Sequence, residues 1–371
     1  MQKQKNDVID LFAGVGGLSL GAARAGFSVA AAVELDERAA AQHAMNFPHA
    51  KHLLEDVSQL TGKRLLELAS ITKADLCGLI GGPPCQGFSE IGLRGDGDVR
   101  NELLVHFFRL VGETRPAFFL AENVPGVTHE RNRPILDRAL SLVPGGYVML
   151  APMTVKASDY GAPTIRTRVF FFGYDPERLN ALTAADFAPR RVNDVRVSRA
   201  LDGLPIIRSD WQSEAQSWRS VGVLEGGHYE ERIANAIPYR VGDPLAVEAY
   251  RKRSLVSGFL GTAHTPATRK RFAALKPGMV DSISKCVRLR MDGYCPTLRA
   301  GTGPERGSYQ AIRPVHPSSP RVIAPREAAR LQGFPDWFQF HPTKWHAFRQ
   351  IGNSVSPIVS EALMSVIRGA L

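Results

Sequence analysis

Between residues 6 and 174, short apolar runs alternate with stretches patterned as helices. DVIDLFAG is followed by a helical pattern through 17–26, FSVAAAVEL by DERAAAQHAMNF and ADLCGLIGG by NELLVHFFRLVGE; AFFLAENV, YVMLAPMTV and RVFFFGY close the series. Apolar strands separated by helices are the pattern of βαβ units. They predict an α/β fold whose parallel sheet is covered by helices on both faces. Such sheets bind ligands outside the carboxyl ends of their strands, so the residues that end each apolar run are the first candidates for a site.

The rhythm stops at about 175. Residues 175–320 are rich in Pro, Gly and Arg with scattered Trp and Tyr, and they read as a second, smaller and irregular domain after a first domain at 1–174. Helical patterning resumes with PREAARLQGF at 325–334 and with the closing SPIVSEALMSVIRGAL, which sets 321–371 apart as a third segment.

Charge follows the same division. The chain carries a net charge of +10, and residues 190–325 alone hold 22 Lys+Arg against 12 Asp+Glu, leaving the remainder balanced. The excess is densest from 251 to 290, where ten basic residues face the single acid Asp281. A neutral body with one basic module is the electrostatic footprint of a polyanion partner, although charge runs also occur as plain solvated faces. No segment approaches the ~20 apolar residues of a membrane span, and an intracellular protein is expected. Four cysteines, at 77, 85, 286 and 295, form no CxxC pair, which argues against a zinc site and a disulfide framework.

The first strand runs into DLFAGVGGLSLG, so Gly14, Gly16 and Gly17 lie where a strand turns into a helix and the backbone can approach a ligand closely. The dinucleotide fingerprint is incomplete, because its third glycine falls at Ser19; a plain tight turn is the competing reading. Glu34 ends the second apolar run, where a carboxylate can bind ribose hydroxyls, and Asp56 in LEDV is placed for an adenine amino group. A nucleoside cofactor lacking the pyrophosphate-binding glycine fits S-adenosylmethionine better than NAD.

In GGPPCQGFS, at 81–89, two prolines stiffen the backbone leading into Cys85. The thiol reads as presented rather than packed, the alternative being a rigid turn around a small buried hydrophobe. Glu122 ends the apolar run AFFLAENV at the ligand-binding edge; the bland reading is a solvated strand-end acid.

Six motifs, DLFAGVGGLSLG, GGPPCQGFS, AENV, the basic pair of TIRTRVFFFG, PREAARLQGFP and QIGNSVSP, stand in the order found in DNA cytosine-5 methyltransferases, which the chain resembles across 7–174 and 322–371. The resemblance implies a Rossmann-like S-adenosylmethionine-dependent sheet, a target-recognition domain in the motif-free segment, and a C-terminal segment that returns to the catalytic domain. It implies methyl transfer to C5 of a cytosine flipped out of duplex DNA, with Cys85 adding to C6. Glu122, protonated, would contact N3 and the exocyclic amine, and Arg168, with Arg166 beside it, would hold the base.

For the cofactor the resemblance implies Phe12, Ala13 and the glycine turn around the adenosyl and methionine parts, Glu34 on the ribose, Asp56 and Val57 at the adenine, Pro84 on the sugar face, and Asn353 with Val355 at the methionine end. Leu35 stands where relatives often carry a stacking aromatic residue, and Thr164 where they commonly carry Gln. The expected DNA contacts are Gln86, Ser89, Arg251, Lys252, Arg253, Arg288, Arg290, Thr297 and Arg299. No metal is expected. A monomer in the bacterial cytoplasm is expected, with a separate cognate restriction endonuclease as a possible partner. The rival readings are a transfer-RNA cytosine-5 methyltransferase of the same superfamily, against which GFS after PPCQ and the large basic insert argue, and a DNA-binding regulator with a dead site, against which the presence of Cys85 and Glu122 argues.

Overall fold

The computed structural model describes residues 6–84, 102–189, 194–207, 217–300 and 313–371. Its first half contains β1 (Asp7–Leu11), α1 (Gly17–Arg24), β2 (Ser28–Val33), α2 (Glu37–Asn46), β3 (Lys51–Leu53), α3 (Gly62–Ala69), β4 (Leu76–Gly81), α4 (Glu102–Thr114), β5 (Phe118–Asn123), α5 (Arg133–Leu140), β6 (Val148–Met149), β7 (Met153–Lys156) and β8 (Thr167–Tyr174). These strands form one sheet in the order β3-β2-β1-β4-β5-β8-β6, with β7 also on β8.

Successive strand residues face opposite sides, and both sides are apolar. Val8, Ile80, Phe118, Leu120, Phe170 and Phe172 belong to one buried cluster, and Ile9, Leu11, Leu79, Phe119, Val169 and Phe171 to the other. This explains why the runs read as continuously apolar rather than alternating. The helices α1 and α12 (Pro357–Ala370) cover the first face, while α3, α4 and α5 cover the second.

The expected parallel sheet is corrected at its far edge. Strands β1 to β5 pair in parallel, but β8 runs antiparallel to β5, β6 and β7. A parallel step needs a crossover, usually a helix. Between β7 and β8 the chain has only a 3-10 turn at Ala157–Tyr160 and a short extended stretch, so it reverses instead. YVMLAPMTV is likewise two strands, β6 and β7, parted at Pro152.

Beyond β8 come α6 (Val197–Leu201), β9 (Arg219–Ser220), α7 (His228–Ala234), α8 (Pro244–Arg253), β10 (Leu255–Val256) and α9 (Pro266–Ala274), followed by α10 (Pro325–Gln332), α11 (Lys344–Asn353) and α12. Much of 175–320 shares its packing with the first half: Phe187, Val197, Tyr229, Ile233, Leu289 and Leu298 lie in the same buried cluster as the first sheet face. Two small clusters, around Val256 and Phe259 and around Phe272 and Cys286, belong to this segment and to its junction with α10.

Helix α10 fastens the segments together with buried arginines. Arg326 donates to the carbonyls of Ser257, Pro335 and Phe338 at 2.9, 2.9 and 2.8 Å. Arg330 makes a two-pronged pair with Asp336 at 2.8 and 2.6 Å, and Arg321 a similar one with Glu327 at 2.8 and 2.7 Å. No helix of the described residues is long and apolar enough to cross a membrane.

Candidate active site

The order of strands reverses direction at β1 and β4, which are neighbours although β2 and β3 intervene in sequence. The crevice outside their carboxyl ends is the ligand position of such sheets. The glycine turn emerges from β1 and Gly82-Pro83-Pro84 from β4. Glu34 and Asp56 follow β2 and β3 on one side, with Glu122 and Arg168 on the other.

The turn is built from left-handed residues: Phe12 at φ 57°, Gly14 at φ 56° and Gly16 at φ 101°. The Gly14 N–H donates to Glu34 Oε2 at 2.8 Å, while the Leu35 and Asp36 N–H groups donate to Oε1 at 2.9 and 2.8 Å. Burial pushes the Glu34 carboxyl above its ordinary range against the pull of these amides. A Cβ added at Gly14 would meet open space, so bare backbone borders a hollow beside a fixed carboxylate. At Gly17 a Cβ would come within 2.3 Å of the Val355 carbonyl oxygen, so only glycine lets GNSV close onto the turn. Ala13 is buried, with its N–H on the Val33 carbonyl at 3.1 Å.

The remaining cofactor candidates lie on the same edge or against it. Leu35 is 65% exposed. Half-buried Asp56 accepts from the Ser58 N–H at 2.9 Å, and the carbonyl of buried Val57 accepts from Arg109 of α4 at 3.1 Å. Pro84 is half-buried. Asn353 is exposed at the end of α11, where the next carbonyl, of Ser354, is held by Gln332 at 2.8 Å. A fixed acid, bare backbone and an apolar side chain in sequence suit a ribose diol and a flat base.

Across the crevice, Arg168 Nε lies 2.6 Å from Glu122 Oε1, with both side chains largely buried. Arg168 is further fixed by its own Nη1, which donates to the Thr167 carbonyl at 2.7 Å. A Cβ built on Gly82 would stand 3.2 Å from Glu122 Oε2. Asn123 Nδ2 donates to the Pro83 carbonyl at 3.3 Å, tying the end of β5 to the segment that leads into Cys85. Cys85, Gln86 and Ser89 lie outside the described residues. The other three cysteines are buried and free, and burial pushes the Cys77 thiol up to about 11.

Arg166 has different partners from Arg168. It is buried and donates to the carbonyls of Gly352 and Leu298 at 2.9 and 3.3 Å, joining β8, α11 and the Thr297-Leu298 segment. Thr164, the departure from the common Gln, donates from Oγ1 to the Cys295 carbonyl at 3.1 Å. Asn123 and Thr164 are positioning groups that residue type alone does not reveal.

Among the DNA candidates, Thr297 is half-buried next to the Arg166 contact, and Arg299 is exposed. Arg251, Lys252 and Arg253 are exposed in the last turn of α8, where positive charge also complements the helix dipole. Arg290 is exposed and pairs with Asp292 at 2.8 Å. Arg288 differs from these. Its guanidinium donates to the carbonyls of Leu275, Phe272, Pro317 and Ala273 at 2.8, 3.0, 3.1 and 3.3 Å, which gives it a structural occupation.

The family model of C-5 cytosine-specific DNA methylases matches residues 6–369. The chain belongs to that family. It is a DNA (cytosine-5-)-methyltransferase, an enzyme that transfers a methyl group to C5 of cytosine in DNA. It is 40% identical over 368 residues to the Type II methyltransferase M.XorII of Xanthomonas oryzae pv. oryzae, covering 98% of this chain and 84% of that one. A chain described as a DNA modification methyltransferase encoded within an E. coli prophage superposes with a TM-score of 0.88 at 49% identity, covering 98% of this chain and 99% of that one. The S. pombe Dnmt2 methyltransferase, at 17% identity and TM-score 0.62 over 97% of both chains, shares the fold.

Proposed function

We propose that the methyltransferase performs its chemistry in the crevice between β1, β4 and β5, with Cys85 as nucleophile and Glu122 and Arg168 holding the target cytosine. The observation that carries this reading is the junction of the Glu122–Arg168 pair with the Pro83-Pro84 segment through Gly82 and Asn123. It brings an acid, a guanidinium and the entry to the thiol to one place. A base entering there meets Glu122 at its N3 and amino edge and Arg168 at its O2. The thiolate of Cys85 adds to C6, and the displaced electron pair develops at C5 while the Glu122 carboxyl shares its proton with N3. S-adenosylmethionine supplies the electrophilic methyl. Loss of the C5 proton to a base then lets the thiolate leave, which restores the aromatic ring.

Glu34 and the glycine turn hold the ribose, Asp56 and Leu35 border the adenine, and Asn353 with Val355 closes the methionine end. Residues 175–320 form the target-recognition part, with Arg290, Arg299 and Thr297 nearest to the bases and Arg251, Lys252 and Arg253 on phosphates. Since M.XorII is named a Type II methyltransferase, this chain is read as the modification partner of a separate endonuclease, acting as a cytoplasmic monomer on duplex DNA.

The test is a covalent trap. A duplex carrying 5-fluorocytosine at the target, incubated with S-adenosylmethionine, should give a shifted band on a denaturing gel, because fluorine cannot leave C5 as a proton does. No band from the parent enzyme, or the same band from Cys85→Ala, overturns the assignment.

A further inference from the structure

Beneath the glycine turn lies a hydrogen-bonded chain that the chemistry above does not use. Ser19 Oγ lies 2.6 Å from Asp10 Oδ2, His43 Nε2 lies 3.0 Å from Ser19 Oγ, and His52 Nε2 lies 3.0 Å from His43 Nδ1. The chain crosses β1, α1, α2 and β3. Asp10, Ser19 and His43 are fully buried, and half-buried His52 reaches solvent. The ring of His43 stacks on Phe47 at 4.4 Å between centroids. A Cβ built on Gly16 would stand 3.1 Å from His43 Cδ2, so the turn rests directly on that ring.

Such a chain has two self-consistent arrangements. In one, His52 donates to His43, His43 to Ser19 and Ser19 to an ionised Asp10. In the other every bond is reversed: Asp10 is protonated and donates to Ser19, and the His43 proton sits on Nδ1. Going from the second to the first moves one proton over each link, and His52 releases its Nδ1 proton to water. We propose that binding of cationic S-adenosylmethionine drives this chain into the arrangement with Asp10 ionised, expelling a proton through His52, whereas the uncharged sulfide of S-adenosylhomocysteine does not. This inference rests on the cofactor reading above and adds proton linkage to it.

Three observations support it. Asp10 Oδ1 is buried with no hydrogen-bond partner among the described residues, so an anion there is costly until a cation arrives nearby. Burial pushes the Asp10 carboxyl up to about 7, which places the two arrangements in balance near neutrality. Burial, with His52 beside it, holds His43 well below its ordinary range, so His43 carries protons as a neutral relay rather than storing charge. The charged and titratable groups acting on the chain are Glu34 at the end of β2, which raises Asp10, and His52 on β3.

Calorimetry at pH 7 in phosphate and in Tris, whose protonation heats differ, reads the proton directly. S-adenosylmethionine should release about half a proton from the intact enzyme, S-adenosylhomocysteine close to none, and Asp10→Asn none with either ligand. Nitrogen-15 NMR of the histidine rings supplies a readout that needs no variant: the His43 tautomer should move to Nε2–H with the sulfonium ligand alone. Tight binding of both ligands with equal proton counts and an unchanged His43 tautomer overturns the inference while leaving the cofactor reading intact. Failure of both ligands to bind overturns the cofactor reading and this inference with it.

Discussion

Arg168 and Glu122 face each other across adjacent antiparallel strands, Nε to Oε1 at 2.6 Å, at the edge where Gly82, Pro83 and Pro84 follow β4. Before a base arrives, each is the other's partner. On the proposed reading, the carboxyl exchanges the guanidinium for the cytosine ring as the base enters.

Replacing Glu122 by Gln keeps a hydrogen-bonding side chain but removes the transferable proton. Turnover is expected to fall by ~10²–10⁴-fold. Titration with S-adenosylhomocysteine should give an unchanged affinity, because the proposed site puts Glu34, not Glu122, on the cofactor side of the crevice. A large loss of cofactor binding would make Glu122 a structural residue.

Phosphate neutralisation is expected from the basic segment. Replacing Arg251, Lys252 and Arg253 together by Ala should flatten the slope of log affinity against log salt by about 1 for each phosphate left without its cation. Anisotropy from roughly 50 to 200 mM salt covers the useful range. Target and random duplexes should weaken alike. An unaltered slope would leave the three cations as a favourable end to α8 and nothing more.

Asp336 neutralises Arg330 where neither side chain meets solvent, both being at most 1% exposed. Asp336→Ala strands a buried guanidinium and should cost about 3–5 kcal/mol in urea unfolding. The exposed pair of Lys252 and Glu248 is the control: Glu248→Ala should cost less than about 1 kcal/mol. Equal effects would show that burial of the ion pair is not what matters.

Asp10 should set a pH dependence of stability. Its folded value, about 7, lies above its ordinary 3.8, so the folded state holds the proton more tightly than the unfolded chain. The resulting penalty is absent below the ordinary value, grows as pH rises, and is complete above about 7. Between pH 5 and pH 8, Asp10→Asn should therefore gain roughly 2–3 kcal/mol relative to the parent in denaturant unfolding. A difference between the two proteins that does not vary with pH would contradict the assignment.

The strands were legible because both faces of the sheet are covered, which turns each into an unbroken apolar run such as LCGLIG or FFLAEN. Their direction was not. Orientation depends on what connects two strands, and the helix-poor stretch from 157 to 166 reverses β8 without leaving a mark on its composition. Helix α11 escapes the pattern because a polar residue, Gln350, is buried along with Ala347, Phe348, Ile351 and Gly352.

In the site, acids and glycines at strand ends could be placed from sequence, since topology alone brings strand ends together. What a side chain does among its neighbours could not. Arg288 and Arg290 look alike in the charge pattern, yet one is bound to four carbonyls and the other pairs with Asp292 at the surface. Ser19 reads as a missing glycine until the packing of α2 sets His43 behind it.

The closure of Ser354 and Val355 onto Gly17, with Ser360 of α12 donating to the Leu18 carbonyl at 2.9 Å, gives synthesis of this protein a fixed order. A ribosome makes the glycine turn more than three hundred residues before the wall that completes it, as the separation of 342 between Leu18 and Ser360 shows. During that interval the basic segment is made while Gly17 and Leu18 still lack the groups that cover them. The apolar face that α1 shares with α12 is therefore among the last parts of the fold to be covered.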